Sequence, residues 1–162
     1  PQTGESKVFA VEIPLKLIDK WLEEVGEQLI SQIEFFVYLA VRFHCRQALF
    51  NKVGIAWIDN EAARFVAIKG SSDSFSLLAM SRVLQQLELE LPSSVWLERV
   101  SSFSNPSDMP SRKRVKEAAK LLGASESGVL RIPDSVIDAI LLMHREPHAS
   151  LNALSKGVNS SA

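Results

Sequence analysis

The sequence predicts an α/β fold. Three short runs rich in aromatic and β-branched residues, at 7–14, 53–59 and 93–100, read as strands, and stretches of helical periodicity separate them. Strands divided by helical crossovers build a parallel sheet, whose ligands sit outside the carboxyl ends of its strands.

Taken in chain order, KVFAVEIP (7–14) has strand composition and closes on Pro14, which cannot donate to a ladder. In 15–26, Leu15, Ile18 and Leu22 recur at helical spacing and Gly26 offers a stop. Across 28–51, Ile30, Ile33, Phe36, Val37, Ala40, Val41 and Phe43 recur at three and four, which predicts one long helix buried on a broad face. VGIAWID (53–59) is apolar almost throughout, as expected of a central strand covered on both faces. Asn60 marks a turn or N-cap, and 61–69 reads as a helix ended by Gly70. Residues 77–91 carry Leu77, Met80, Val83, Leu84 and Leu87 on one face of another helix, stopped by Pro92. After the strand at 93–100, the Ser- and Pro-rich stretch 101–114 is a loop leading to a helix at 115–122. Beyond Gly123 the pattern weakens to a helical extension over 124–145, with Asp134 as a candidate cap, and a disordered tail is expected over 146–162.

Composition limits what such a domain can do. At 162 residues the chain is long enough for one domain with a real core, and its net charge of -1 supplies no global field for nucleic acid, so any such site depends on local clustering. Cys45 stands alone, which leaves no intrachain disulfide or Cys-based zinc cluster and agrees with a reducing, intracellular setting; it reads as a small core residue. Arg42, His44 and Arg46 interrupt the longest apolar run, so no membrane partner is expected, and no signal peptide is recognisable. A chain that opens on Pro1 suggests a piece of a longer protein.

Three acids stand out, each with a bland alternative. Asp59 follows a buried strand, where a carboxylate can face solvent at the sheet's edge or simply cap the next helix. Glu34 is flanked by Ile33, Phe35, Phe36 and Val37, an apolar setting in which an acid needs a cation, although glutamate also suits an exposed helical position. Asp108, in SNPSDMPSR, precedes a helix and again could cap it.

In order, QIEFFVYLAVRF, IAWIDNEAARFVAIKG and VWLERVSSFSNPSDMPSR resemble the ribonuclease H-like domain that follows the reverse transcriptase in many retroelements. That family carries an acid early in its first helix, an Asp-Asn at the end of its fourth strand, and an Asn-x-x-Asp-x-x-Ser-Arg motif after its fifth. The matching positions are Glu34, Asp59 with Asn60, and Asn105, Asp108, Ser111 and Arg112. The resemblance implies a partial ribonuclease H-like domain over 7–123, a mixed sheet flanked by helices. It further implies a Mg²⁺ cluster of Glu34, Asp59 and Asp108 that cuts the RNA strand of RNA/DNA hybrids, in a protein with an upstream reverse transcriptase segment. Two-metal cleavage of a phosphodiester uses Mg²⁺ ions about 3.5–4 Å apart, and Mg²⁺ is held by carboxylates, water and phosphate.

The chain departs from the family in one respect that matters. The family's first metal-bridging Asp lies two strands before the one assigned to 7–14, and nothing here supplies it; Glu12 does not match that position. The fold is therefore expected to lack its first two strands, leaving the strand containing Gly54 to Trp57 without a partner on one side, and an inactive remnant or nucleic-acid-binding module is the alternative function. Arg112, Lys113, Arg114 and Lys116 form a basic cluster suited to phosphates or, equally, to a solvated helix face. Trp57 and Trp96 are better explained by core packing than by base stacking. Arg64 and Lys69 read as surface charges, and none of the three histidines lies close to Asp108 in sequence, where the family often has one that assists product release.

Overall fold

The computed structural model describes residues 6–101, 105–106, 109 and 114–147. Its elements are β1 (Lys7–Val11), α1 (Leu15–Val25), α2 (Ile30–His44), α3 (Arg46–Leu49), β2 (Val53–Ile58), α4 (Glu61–Lys69), α5 (Phe75–Glu90), β3 (Ser94–Arg99), α6 (Val115–Leu122), β4 (Ser125–Leu130) and α7 (Asp134–Arg145). The chain is thus α/β. The expected tail falls outside the described residues from position 148 onward.

Apolar periodicity builds the core around α2, α5 and α7. Phe35, Phe36 and Leu39 of α2 are fully buried with Trp21 of α1, Met80 of α5 and Ile137 of α7. Trp21 meets Phe36 edge to face, with ring centroids 5.9 Å apart. The inward stripe is narrower than the expected broad face: Ile30 at the start of α2 is 58% exposed. The single helix expected over 28–51 is divided at Cys45 into α2 and α3. Arg46 folds back there, its Nη1 donating to the Phe43 carbonyl at 2.7 Å and its guanidinium lying 4.1 Å from the Phe43 ring centroid.

Punctuation follows local chemistry. Ser74 caps α5, and Gly70 closes α4 in a left-handed conformation at φ 68°, which a Cβ would strain. Asp134 is the first residue of α7 rather than its cap, and Pro133 occupies the cap position without a side-chain hydrogen bond.

The strands form two separate sheets among the described residues. β2 and β3 pair in parallel from Val53↔Ser94 to Ile58↔Arg99, joined by the α4–α5 crossover, while β1 pairs in parallel with β4. Ser125–Leu130 lies in the stretch expected to hold only a helix. Its SESGVL has no alternation, five of six residues are exposed, and backbone pairing with β1 holds it.

The expectation that 53–59 is covered on both faces is overturned. Ile58 is buried in the core, but Val53 is 82% exposed, Ile55 63% and Trp57 61%, with Trp96 of β3 67% exposed beside them. Trp57 and Trp96 are therefore not core residues. Among the described residues β2 is paired along one edge only and no helix packs on this face, so alternate side chains meet solvent.

A polar junction ties α1, α5 and α7 together. The Glu24 carboxylate accepts from the Ser74 hydroxyl at 2.7 Å and the Ser76 amide at 2.9 Å, and lies 2.8 Å from His144 Nε2. Burial, the largest influence on Glu24, raises its pKa, but the hydrogen bonds from Ser74, His144 and Ser76 together outweigh it and leave the carboxyl below its ordinary value. The stabilisation is accordingly complete above the unfolded pKa near 4.5 and is lost as pH falls through the lowered folded value. Glu24→Ala is expected to cost about 1–3 kcal/mol by orphaning these donors. Thermal melts at pH 7 and in acid check this: the deficit of the variant against the parent should shrink in acid.

Candidate acid pair

The helical stripe that buries Phe35, Phe36 and Leu39 determines where Glu34 goes. Each helical step turns about 100°, so Glu34, one position ahead of Phe35, emerges at the edge of the buried face and is half-buried. It lines a cavity of about 460 Å³ together with Ile33 and Val37. The apolar flanks that drew attention in the sequence thus border a cavity as well as a core.

Asp59 arrives from the other side. β2 ends at the buried Ile58, the chain bends, and Asn60 takes an extended conformation whose side-chain oxygen accepts from the Ala63 amide at 2.8 Å. Asn60 is the cap of α4, which frees the Asp59 carboxylate from that task. Arg64 braces the same corner by donating from Nε to the Leu97 carbonyl at 3.2 Å, a fixed role beyond the surface charge expected of it. Lys69 is exposed, 5.4 Å from the Phe65 ring centroid.

Glu34 and Asp59 meet. Burial first, then the negative charge of Asp59, then a hydrogen bond with Asp59 raise the Glu34 pKa from 4.5 to about 7. A carboxyl that is half-buried and faces a second carboxylate ionises reluctantly, so Glu34 holds its proton where an isolated carboxyl would not. The donor set is oxygen only, which fits a hard divalent cation such as Mg²⁺, and a cation would remove the repulsion that raises Glu34.

Asp108, Ser111, Arg112 and Lys113 lie outside the described residues. Among the described residues no third His, Cys, Asp or Glu joins the pair in a metal-sized group. Pro106, from the same loop as Asp108, lines the cavity beside Glu34, as do Ala118 and Leu122 of α6. Within the basic cluster, Arg114 engages Glu117, with Nε donating at 3.0 Å, and Lys116 is exposed on α6. The exposed Trp57 and Trp96 are the surface feature that reading the strands as core concealed. Among the described residues, no helix is long and apolar enough to cross a membrane.

The raised pKa has a stability consequence. Between about 4.5 and about 7 the unfolded chain ionises Glu34 while the folded chain retains its proton, so folding stability falls as pH rises through that window. Glu34→Ala is expected to leave the Mg²⁺-free protein as stable as the parent or more stable at pH 8, with the smallest gain at pH 4. Melting temperatures at the two pH values check this, and a clear loss at pH 8 would make Glu34 a structural acid.

Comparison with protein-family models, with curated proteins and with solved structures finds no match to this chain.

Proposed function

We propose that this chain is a partial ribonuclease H-like domain of a retroelement protein, whose acid pair serves Mg²⁺-dependent cleavage of the RNA strand in RNA/DNA hybrids. The observation that carries this reading is the contact between Glu34 and Asp59, two acids from distant parts of the sequence whose carboxyls are held together at the carboxyl end of β2. Structural acids gain nothing from such crowding, whereas a cation site needs it.

Glu34 and Asp59 would hold the ion, joined by Asp108 from the loop whose Pro106 borders the same cavity. When bound, Mg²⁺ would supply activation of water and charge stabilisation at the phosphate. Glu34 and Asp59 would hold it through their carboxylate oxygens, and the half-burial of Glu34 limits access of water on one side. Arg112, Lys113, Arg114 and Lys116 would neutralise hybrid phosphates, and an upstream reverse transcriptase segment is the partner this reading carries with it.

A second reading keeps the fold without the chemistry. The sequence has no counterpart of the first metal-bridging Asp of the ribonuclease H-like family, which favours a domain that binds nucleic acid without cutting it. An assay on a labelled RNA/DNA hybrid with Mg²⁺ separates the two. Cleavage by the parent that falls to background in Asp59→Asn supports the nuclease; hybrid binding with parent and variant equally inert supports the binding module.

A further inference from the structure

The two faces of the β2–β3 sheet differ sharply. Ile58 and Leu97 turn inward and join the core with Ala63 and Val66 of α4. The in-register parallel pairing sets Val53, Ile55 and Trp57 of β2 on the outward face together with Ser94, Trp96 and Glu98 of β3, and puts Ile55 directly beside Trp96. On that face Val53 is 82% exposed, Ile55 63%, Trp57 61% and Trp96 67%. Single exposed apolar residues are ordinary on a protein surface, whereas a contiguous patch of several hundred Å² marks a contact site. Trp96 is also held in place, because its Nε1 donates to the Glu98 carboxylate two residues on. An anchored indole loses little conformational freedom when a partner covers it.

We propose that this face binds a second copy of the chain, the two sheets stacking face to face about a two-fold axis that lies in the interface perpendicular to the strands. Area fits that occupant. The four apolar side chains give each copy roughly 500 Å² of apolar face, and homodimer interfaces are about 65% apolar, so the whole contact is roughly 800 Å² per copy, the standard size for a specific interface. The exposed Lys52 and Ser94 and the half-exposed Glu98 supply the polar remainder.

Shape and charge choose the direction of the axis. The face tapers from Val53 at the start of β2 to Trp57 near its end, and reversing the strands sets each small Val53 against the large Trp57 of the other copy. Ile55 and Trp96 then lie near the axis and each meets its own counterpart, the two indoles in an offset or edge-to-face contact. Glu98 meets the Ser94 hydroxyl of the other copy, at the end where the other copy's Lys52 also lies. An axis along the strands would instead lay Trp57 over the other copy's Glu98 and bring both Lys52 residues to one end, burying a carboxylate and gathering like charges. The Glu98 carboxylate beside the tryptophans also repels a polyanion, and Val53 and Ile55 offer bases no ring to stack on. The dimer stands whether or not the acid pair cleaves anything.

Sedimentation velocity of the full chain, from about 1 μM to about 100 μM, measures the mass directly. An interface of this size is expected to double it within that range. Ile55→Lys, at an exposed position near the axis, should leave a monomer throughout, with circular dichroism showing an intact fold. Glu98→Lys should weaken association about tenfold, and adding Lys52→Glu to it should restore the parent's affinity. A dimer that survives Ile55→Lys overturns the proposal, as does a Glu98→Lys loss that Lys52→Glu fails to recover. A parent that stays monomeric also overturns it, and quenching of its tryptophan fluorescence by a single-stranded oligonucleotide would then assign the face to nucleic acid.

Discussion

The burial of α2 governs how the rest of the structure is arranged. Phe35, Phe36 and Leu39 point into the space enclosed by α1, α5 and α7, and they fix the rotation of the helix about its own axis. With that rotation set, Gln32 reaches the Ser76 hydroxyl at 3.4 Å, Arg42 is drawn inside to pair with Glu88 and Ser93, and Ile33, Glu34 and Val37 turn toward the strands. A different registration of the same helix would place Glu34 in solvent, where its contact with Asp59 could not form.

The acid pair and the open sheet are two aspects of one incomplete arrangement. β2 delivers Asp59 to the helix face carrying Glu34, yet among the described residues β2 has a strand neighbour on one side only, and β1 likewise. Isolated two-stranded sheets are marginal unless a helix supports them. Here α4 supports β2 and β3, while α6 supports β1 and β4. The cavity that Glu34 lines runs from Ile33 and Val37 of α2 past β1 to Ala118 and Leu122 of α6. Whatever enters that cavity also changes the solvation of Glu34, so its occupancy and the proton affinity of Glu34 are physically linked.

Much of this was legible in the residues, and the reasons for the failures are specific. Asn60, Gly70, Pro92 and Gly123 act locally, through capping, left-handed backbone or a missing N–H, and each marks a boundary as expected. Glu34 and Asp59 could be singled out because acids in apolar surroundings are costly wherever they occur. The exposure of Trp57 and Trp96 was not legible, because an apolar strand has the same sequence whether its cover is present or still to come. β4 was not legible because SESGVL is held by backbone pairing to β1 and carries almost no side-chain pattern. The division of α2 from α3 falls at Cys45, where Arg46 turns back to the Phe43 carbonyl, a local choice that periodicity does not encode. Asp108, Arg112 and Lys113 lie outside the described residues; the expectation placed on Asp108 comes from the resemblance of its motif, and that placed on Arg112 and Lys113 from their basic cluster.

The contact of Glu34 with Asp59, which raises the proton affinity of Glu34, is what the acid pair depends on. Carbon-13 nuclear magnetic resonance of the side-chain carboxyls, titrated from pH 3 to pH 9 without divalent cations, tests it directly. Glu34 should titrate near 7, and its midpoint should fall in Asp59→Asn and on addition of Mg²⁺. A Glu34 midpoint near 4.5 that responds to neither change would contradict the contact and the cation site built on it.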